Sequence, residues 1–349
     1  MISTYLLSIV QCPSCRSERR LSEEDNGLRC TDCSSFFPIH EDRGFIDLRP
    51  PAGTFGELTE YAEEEFHHRE GPLRPPLLSA RVKIDQMSQM LALSPADRVL
   101  DIGGGNGRAA FFKRPNVGQM VAIDAGDHFA PEALESVDLS RGDIRRLPFR
   151  SSSFDKSYSL DVLEHLTEEG VRAMLAEARR VLKPGGQLFV YSHVMMSSKL
   201  ASFQRGVNRL VRGLDRHGLV DNKPEQERKS DHLNALTSYD LLERLVEDAG
   251  FRIEGIRYYN VVFKAVIEDL LLPIVEHNFY KKRSSKTLPN AAGEGADEET
   301  ASSNARPNVG RWAHGPLTLA TALMKLDVKL FGGIRTGPFF LLLRASENR

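Results

Sequence analysis

The spacing of apolar residues predicts alternating strands and helices between about residue 98 and residue 193. Short buried strands are predicted at residues 98–102 and in the segments "MVAIDAG", "SSSFDKSYSL" and "QLFVYSH". Before the last of these, apolar residues at i, i+3, i+4 and i+7 predict a helix from about Thr167, which ends at "KPGG", residues 183–186. Such an alternation favours a parallel sheet covered by helices.

A glycine-rich loop, "GGGNG" at residues 103–107, joins the first of these strands to the next helix. A dinucleotide-binding fingerprint can be placed on Gly105, Gly107 and Ala110, but this match alone is weak. Asp101, near the end of the strand, would repel a pyrophosphate, whereas it favours a ligand that carries a sulfonium and an ammonium. The loop therefore indicates a cation-bearing nucleoside.

Two further acids follow in the order that such a ligand needs. Asp124 ends the second strand, where its carboxylate can accept hydrogen bonds from both ribose hydroxyls. Asp143 is placed to accept from an adenine amino group, with Ile144 packing on the ring. Leu160, at the end of the strand in "SFDKSYSL", completes the predicted cofactor contacts.

Five motifs in this order resemble the class I S-adenosylmethionine-dependent methyltransferases, most closely the group that includes the ubiquinone-type methyltransferases. They are "VLDIGGGNG", "VAID", "GDIRRLPF", "SFDKSYSLDVLEHL" and "RRVLKPGGQLFVYSH", and the resemblance resumes at "GPFFLLLRA". It implies an α/β fold with the Rossmann-like, doubly wound seven-stranded sheet of that family, and S-adenosylmethionine as cofactor. The residues implied at the cofactor are Asp101, Gly103, Gly105 and Gly107 around the methionine part, Asp124 on the ribose and Asp143 on the adenine.

All four cysteines lie in the first 33 residues, as two pairs with Cys-x-x-Cys spacing: Cys12 with Cys15, and Cys30 with Cys33. Each pair can form a tight turn, a knuckle, that directs two thiolates to one point, and two knuckles complete a tetrahedral four-sulfur site. Structural zinc is expected there; iron and a pair of disulfides are the alternatives. The stretch "CPSC…CTDCSSFFPIHEDRGFIDL" resembles zinc ribbons that are attached to, or partner, methyltransferases. These include the small activator subunits of RNA and protein methyltransferases.

Charge and hydropathy narrow the choice of partners. The formal net charge of −2 indicates no global basic field, so nucleic-acid binding would need a local patch. The first ten residues lack the basic start and long apolar region of a signal peptide, and no apolar run approaches the roughly 20 residues of a membrane span. We therefore expect a cytoplasmic protein, with peripheral attachment to a membrane left open.

Three histidines are candidates for a catalytic base, which methyl transfer needs after alignment of the reactants: His165, His232 and His193. His232 resembles the histidine before the last helix of many relatives, which faces the substrate pocket; an ordinary loop histidine is the alternative. Asp161, Glu164 and His165 would point the same way on a helical turn. They resemble the run that holds a divalent ion in ubiquinone-biosynthesis O-methyltransferases, so magnesium is a further predicted ligand; a turn that merely packs is the alternative.

Two insertions are expected on the substrate side. Residues 199–217 predict a basic amphipathic helix, in which apolar residues share one side and four arginines occupy the other. It is interpreted as a lid with solvated arginines, or as a contact with an anionic membrane surface or a phosphate-bearing substrate. The second insertion contains predicted helices near residues 263–272 and 317–331, and a polar stretch that is expected to be disordered.

The predicted organisation has five parts. These are a zinc-ribbon module (1–50), a linker with an N-terminal helix (51–76), a methyltransferase core (77–263) with a lid insertion at 197–232, a helical insertion (264–337) with a disordered segment at 283–310, and a closing strand (338–349). We expect methylation of a small, lipophilic molecule on oxygen or carbon. The first alternative is an rRNA or tRNA methyltransferase whose ribbon binds nucleic acid; the second is a non-catalytic cofactor-binding module.

Overall fold

The strands of the chain join in one sheet whose centre is parallel. A computed structural model describes residues 2–17, 19, 21–40, 44–50, 73–196, 200–217, 233, 235–275 and 314–347. Within these residues the strands are β1 (Ser22–Glu24), β2 (Gly27–Arg29), β3 (Phe36–His40), β4 (Phe45–Asp47), β5 (Arg98–Ile102), β6 (Gln119–Asp124), β7 (Asp138–Arg141), β8 (Phe154–Leu160), β9 (Leu182–His193), β10 (Phe251–Tyr258) and β11 (Pro338–Ala345).

The helices lie on both faces of this sheet. They are α1 (Thr4–Ile9), α2 (Leu78–Leu91), α3 (Arg108–Lys113), α4 (Pro131–Ser136), α5 (Glu168–Val181), α6 (Ala201–Arg216), α7 (Tyr239–Asp248), α8 (Val262–Lys264) and α9 (His314–Phe331). A π-helical segment, Ala265–Leu271, continues α8, and short 3₁₀ turns lie at Arg114–Asn116, Ile144–Arg146 and Leu163–His165.

The strand order is β1-β2-β3-β4-β7-β6-β5-β8-β9-β11-β10. Pairing is parallel from β4 to β9, and β11 inserts antiparallel between β9 and β10. The seven strands from β7 to β10 form the doubly wound sheet that the resemblance implies. The four additional strands, β1 to β4, come from the cysteine-containing N-terminal region. The sheet therefore has eleven strands instead of the predicted seven, and the order of the seven core strands is unchanged.

Burial on both faces explains the composition of the central strands. Val99, Leu100 and Ile102 of β5 are fully buried, and the neighbouring strands carry similar apolar runs. One face packs against α1, α5 and α7, and the other packs against α2, α8 and α9. The chain begins the core of the sheet at β5 and builds outward on both sides of it, with β6 and β7 on one side and β8 and β9 on the other, so the direction in which strands are added reverses there. Open α/β sheets bind their ligands at the carboxyl ends of the strands at such a point.

The N-terminal region continues the sheet instead of folding apart from it. β4 pairs in parallel with β7, with Phe45 opposite Leu139, and Leu48 N donates to Arg141 O. Next to the first cysteine pair, the Arg146 guanidinium donates to Ser14 O at 2.8 Å. The ribbon is thereby joined to the core by backbone hydrogen bonds between β4 and β7 and by a side-chain hydrogen bond from Arg146.

A buried ion-pair network makes a second connection between these regions. Glu177 of α5 is buried and accepts from Arg16, which follows Cys15, at 2.9 Å, and from Arg180 at 2.8 Å. Burial alone would raise the pKa of Glu177, but the hydrogen bonds from Arg180 and Arg16 outweigh it and lower the pKa. The carboxylate therefore stays ionised and paired at neutral pH.

The predicted insertion helices are present, with shifted ends. The basic helix is α6, and its buried side (Val207, Val211 and part of Leu214) packs on Ala265 of the π-helical segment. Helix α9 begins three residues before the predicted residue 317. The segment expected to be disordered, 283–310, lies outside the described residues, as does most of the predicted linker. No helix of the described ranges combines the length and apolarity needed to cross a membrane.

Candidate functional site

The glycine loop after β5 requires glycine at the positions where it approaches its neighbours. Gly103 has φ +76°, and a Cβ there would lie 2.4 Å from Val162 Cγ2. Gly107 has φ +80°, and its Cβ would lie 2.8 Å from Ala133 Cβ. Gly105 differs, because its φ is +54° while nothing lies within 4 Å of the Cβ position. The loop thus folds tightly on its inner side and leaves open space over Gly105, where a ligand can approach the backbone.

Asp101 lies beneath this loop, fully enclosed by the sheet. Its Oδ2 accepts from the Tyr158 hydroxyl at 2.9 Å. Burial raises the pKa of Asp101 to about 7; the Tyr158 hydrogen bond opposes this shift and the nearby Asp124 adds to it. Near neutral pH the carboxyl group is therefore poised between its two protonation states, and a cation placed above it would favour the ionised one.

Asp124 ends β6 beside the same loop, as predicted. Its Oδ2 accepts from Gly105 N at 2.7 Å and its Oδ1 accepts from Gly126 N at 2.9 Å. The carboxylate is therefore held in one orientation at the rim of the open space. Each carboxylate oxygen can accept a second hydrogen bond, so the group keeps capacity for two ligand hydroxyls.

The residues predicted at the adenine lie on the next turn. Asp143 caps the 3₁₀ turn by accepting from Arg145 N at 2.8 Å, and it is ion-paired with the Arg145 guanidinium at 2.7 Å. Ile144 packs partly buried against the core on the α5 side, and Leu160 is partly buried at the carboxyl end of β8. These side chains lie at the ends of β7 and β8, which flank β6 and β5.

The structure does not bring Asp161, Glu164 and His165 together as metal ligands. The turn after β8 is a three-residue 3₁₀ helix that begins only at Leu163, so the helical spacing expected for the three residues is not formed. Asp161 is ion-paired with Lys83 at 2.6 Å, and Glu164 is buried and accepts from the Ser192 hydroxyl at 2.8 Å. The magnesium site inferred from their spacing is therefore not carried further.

The predicted bases fall in different surroundings. His193 ends β9, with Nδ1 at 4.0 Å from Glu164 Oε1, and its side chain is partly exposed. Burial raises the pKa of Glu164, and Asp161 adds to this, while the Ser192 hydrogen bond and His193 oppose it. His165 lies in the 3₁₀ turn, partly buried. His232 lies outside the described residues.

Four residues at this edge were not singled out from the sequence. Tyr158 binds Asp101, and Lys83 of α2 pairs with Asp161. Lys83 Nζ also lies 4.4 Å from the centroid of the Tyr191 ring, and the buried Tyr259 follows β10. Tyr158 lies within the predicted strand "SSSFDKSYSL", but burial on both faces of β8 leaves no alternation that would mark it. Tyr191 lies in the predicted strand "QLFVYSH", and its contact with Lys83, like the burial of Tyr259, depends on helices whose position the sequence pattern does not specify.

The four cysteines form a separate cluster. Their ligand atoms all lie within 4.8 Å of one another, with Sγ–Sγ distances of 3.6 Å for Cys12 and Cys33 and 3.5 Å for Cys15 and Cys30. These distances are too long for disulfide bonds and close to the roughly 3.8 Å edge of a tetrahedral site with zinc–sulfur bonds of about 2.3 Å. Within the described residues, this is the one group of three or more such side chains that fits a metal ion.

Comparison with known families gives two matches. The family described as "Methyltransferase domain" matches residues 100–190, which include the glycine loop and the acids beside it. The family described as "Trm112p-like protein" matches residues 3–42, which include all four cysteines. The two matches thus cover the core and the ribbon separately.

Individual relatives agree with the first match. The chain is 35% identical over 159 residues to a putative methyltransferase of Encephalitozoon cuniculi, which covers 44% of this chain and 70% of that protein. It is 33% identical over 121 residues to the ubiquinone/menaquinone biosynthesis C-methyltransferase UbiE of Ruegeria sp. strain TM1040, which covers 32% of this chain and 48% of that protein. The chain therefore spans about half the length of that relative. A solved phosphoethanolamine N-methyltransferase 2 of Haemonchus contortus is 14% identical, covering 82% of this chain and 56% of that one, with a TM-score of 0.47.

Removal of metal from the cysteine cluster is expected to destabilise the whole chain in one transition. A closed four-sulfur site contributes directly to folding, and here its strands continue the sheet of the core. Elemental analysis should find about one zinc per chain, and a strong chelator should lower the melting temperature by several degrees. Added zinc should restore it. An unchanged melting temperature after verified metal loss would contradict a structural role.

Proposed function

The chain belongs to the S-adenosylmethionine-dependent methyltransferases, and we propose that it transfers the methyl group of this cofactor to oxygen or carbon of a small, lipophilic molecule. The observation that carries the proposal is the group of acids around the glycine loop. Asp101 is enclosed below the loop, Asp124 is fixed at its rim and open space lies over Gly105.

These residues fit the charge pattern of the cofactor. S-adenosylmethionine supplies a methyl group on a sulfonium, a carbon already activated for in-line displacement. Asp101 would favour the positive charges of its methionine part, and Asp124 would accept from the ribose hydroxyls. Asp143 and Ile144 would hold the adenine, and Leu160 would line the opposite side.

For the proton that the acceptor loses, we propose His193 as the base. Its Nδ1 lies 4.0 Å from Glu164 Oε1, and it stands at the carboxyl end of β9. A carboxyl group near one ring nitrogen would orient the imidazole so that the other nitrogen could face the acceptor.

A lipophilic acceptor is supported by the exposed side of helix α6. On α6 the apolar Phe203 and Leu210 are exposed, together with Arg205, Arg209 and Arg212. This combination is typical of helices that lie on an anionic membrane surface, from which a lipophilic acceptor could be drawn. The relative named as a ubiquinone/menaquinone biosynthesis C-methyltransferase is consistent with such an acceptor.

The test of the proposal is the destination of the methyl group. Purified protein would be given methyl-labelled S-adenosylmethionine and a host extract that preserves metabolites, and the label would be partitioned among organic, aqueous, RNA and protein fractions. Label in the organic fraction is expected. Label in RNA would overturn the small-molecule proposal in favour of RNA methylation, for which the Trm112p-like match would then supply the precedent.

The affinity for S-adenosylmethionine is expected to rise with pH through about 7. The bound cation favours ionised Asp101, whose pKa in the free protein is about 7, so binding at lower pH must also remove a proton. Calorimetry should find roughly tenfold weaker binding at pH 6 than at pH 7.5. Asp101→Asn should bind weakly with no such slope, and Asp143→Asn should keep the slope. A slope that survives in Asp101→Asn would assign the titration elsewhere.

If His193 is the base, His193→Asn should lower kcat by about a hundredfold or more and remove the acidic limb of the pH–rate profile, while cofactor affinity stays the same. His165→Asn serves as the matched control, because that side chain lies on the turn beside Glu164. An intact profile in His193→Asn would exclude it as the base.

A further inference from the structure

The hydroxyl of Tyr259 has no role in the packing around it. Tyr259 follows β10 directly and is completely buried, yet its Oη has no hydrogen-bond partner among the described residues. Its position is fixed, because Tyr259 N donates to Pro338 O at 3.0 Å, and the side chain of the next residue, Asn260, donates to the carbonyls of Phe331 and Ile334 at the end of α9. A buried hydroxyl held without a partner is unfavourable unless a ligand or water completes it.

A second tyrosine, Tyr191, lies on the same face of the sheet. The rings of Tyr259 and Tyr191 lie 5.6 Å and 5.0 Å from the ring of Phe340, in the same buried cluster. Tyr191 is only 9% exposed, and its described contacts are made by its ring. Both tyrosine rings therefore pack against Phe340, and phenylalanine at either position would keep that ring contact.

Both hydroxyls are available as donors. Burial raises the pKa of Tyr191 and of Tyr259 well above the ordinary value, and the proximity of Tyr191 adds to the rise at Tyr259. Neither group therefore ionises in the working range of the protein. Each hydroxyl therefore keeps its proton, and that of Tyr259 has no acceptor among the described residues.

The charges that face Tyr259 restrict what that oxygen can belong to. Glu268, Asp327 and Asp269 all contribute to its raised pKa. Glu268 accepts from Ser79 N and its hydroxyl, and Asp327 accepts from Phe263 N. Lys264 pairs with Asp269 at 2.7 Å and with Glu268 at 3.9 Å, which offsets part of this negative charge. The remaining negative charge disfavours a carboxylate or a phosphate, because like charges would be brought together away from water.

Tyr191 connects this region to the proposed methyl-transfer site. Tyr191 is two residues before His193 on β9, and Tyr191 O accepts from Asp161 N at 3.1 Å. Lys83 stands over the Tyr191 ring and pairs with Asp161, so its charge is already neutralised. A molecule bound by the two tyrosines would therefore reach the carboxyl ends of β8 and β9.

We propose that Tyr259 and Tyr191 form a subsite that binds a neutral oxygen of the methyl acceptor, as found in a phenol, an enol or a ketone. Tyr191 belongs to β9 and Tyr259 follows β10. The subsite rests on the proposed function in that the bound molecule is the methyl acceptor. The subsite would favour acceptors in which an otherwise apolar molecule carries an uncharged oxygen.

The test compares three probes of one shape: 1-naphthol, naphthalene and 1-naphthoate. Binding to the full-length protein with S-adenosylhomocysteine would be measured by ligand-observed NMR. The wild type is expected to bind 1-naphthol roughly fivefold to tenfold more tightly than naphthalene, the contribution of a hydrogen bond to a buried donor, and to bind 1-naphthoate no better than naphthalene. Equal binding of 1-naphthol and naphthalene, or tightest binding of 1-naphthoate, would overturn the proposal.

The decisive variant is Tyr259→Phe, which removes only the unpaired hydroxyl. It should abolish the preference for 1-naphthol while the melting temperature stays the same or rises. The matched control is Tyr239→Phe, on the opposite face, whose buried hydroxyl donates to Thr336 O at 2.5 Å. That variant should lose stability and keep the preference. If Tyr259→Phe fails to fold, Tyr191→Phe takes its place, with a reduced preference expected.

Failure of this inference can be separated from failure of the proposed function. Affinity for S-adenosylhomocysteine would be measured by calorimetry on the same preparations. Normal cofactor binding with no preference for 1-naphthol would overturn the subsite alone. Absence of cofactor binding in the wild type would overturn methyl transfer, and with it the identification of the bound molecule as a methyl acceptor.

Discussion

The parallel ladder of backbone hydrogen bonds from β7 to β9 is the constraint on which the rest of the molecule depends. Parallel pairing brings the carboxyl ends of all these strands to one edge, so that residues far apart in the chain, such as Asp101, Asp124 and Asp161, meet there. It also buries both faces of the strands, which explains their apolar runs. Asp101 is tolerated in that setting because Tyr158 donates to it from the neighbouring strand.

The ribbon extends this ladder through the pairing of β4 with β7. One short turn, Ile144–Arg146, lies between the ribbon and the proposed cofactor site of the core. In the turn Ile144–Arg146, Arg145 pairs with Asp143, while Arg146 donates to Ser14 O beside the first cysteine pair. Two adjacent arginines thus serve different regions of the chain. The geometry of the cysteine knuckle and that of the predicted adenine-binding turn are linked through a single peptide unit.

Local sequence signals predicted much of the fold. The strand at residues 98–102, the glycine loop and the cysteine cluster follow from periodicity and spacing, because short motifs of neighbouring residues specify them. The pairing of β4 with β7 could not be predicted, since three residues carry little periodicity and the partner is distant in the chain. The turn after β8 misled the reading of Asp161, Glu164 and His165, because helical spacing was assumed where the chain forms only a 3₁₀ turn.

The site was predictable only where a motif marks it. The acids around the glycine loop follow strands in a recognisable order, whereas Lys83 and Tyr259 carry no local signal. Lys83 reaches the candidate site from α2, which precedes β5, and Tyr259 owes its burial to α9, 55 or more residues later in the chain. Contacts of that kind depend on how helices pack over the sheet, which a pattern of apolar residues does not specify.

Both ends of the sheet are shaped against unwanted pairing with other chains. Without the ribbon, β7 would present an open row of backbone donors and acceptors, the surface on which strands of different molecules associate. Pairing with β4 moves that edge outward to β1, which has only three residues, all exposed, two of them glutamates. At the far end, β10 carries exposed Arg252, Glu254 and Arg257 and an irregularity in its register at Ile253 and Gly255. Short length, charge and irregular pairing at these borders are features that keep a long sheet from aggregating.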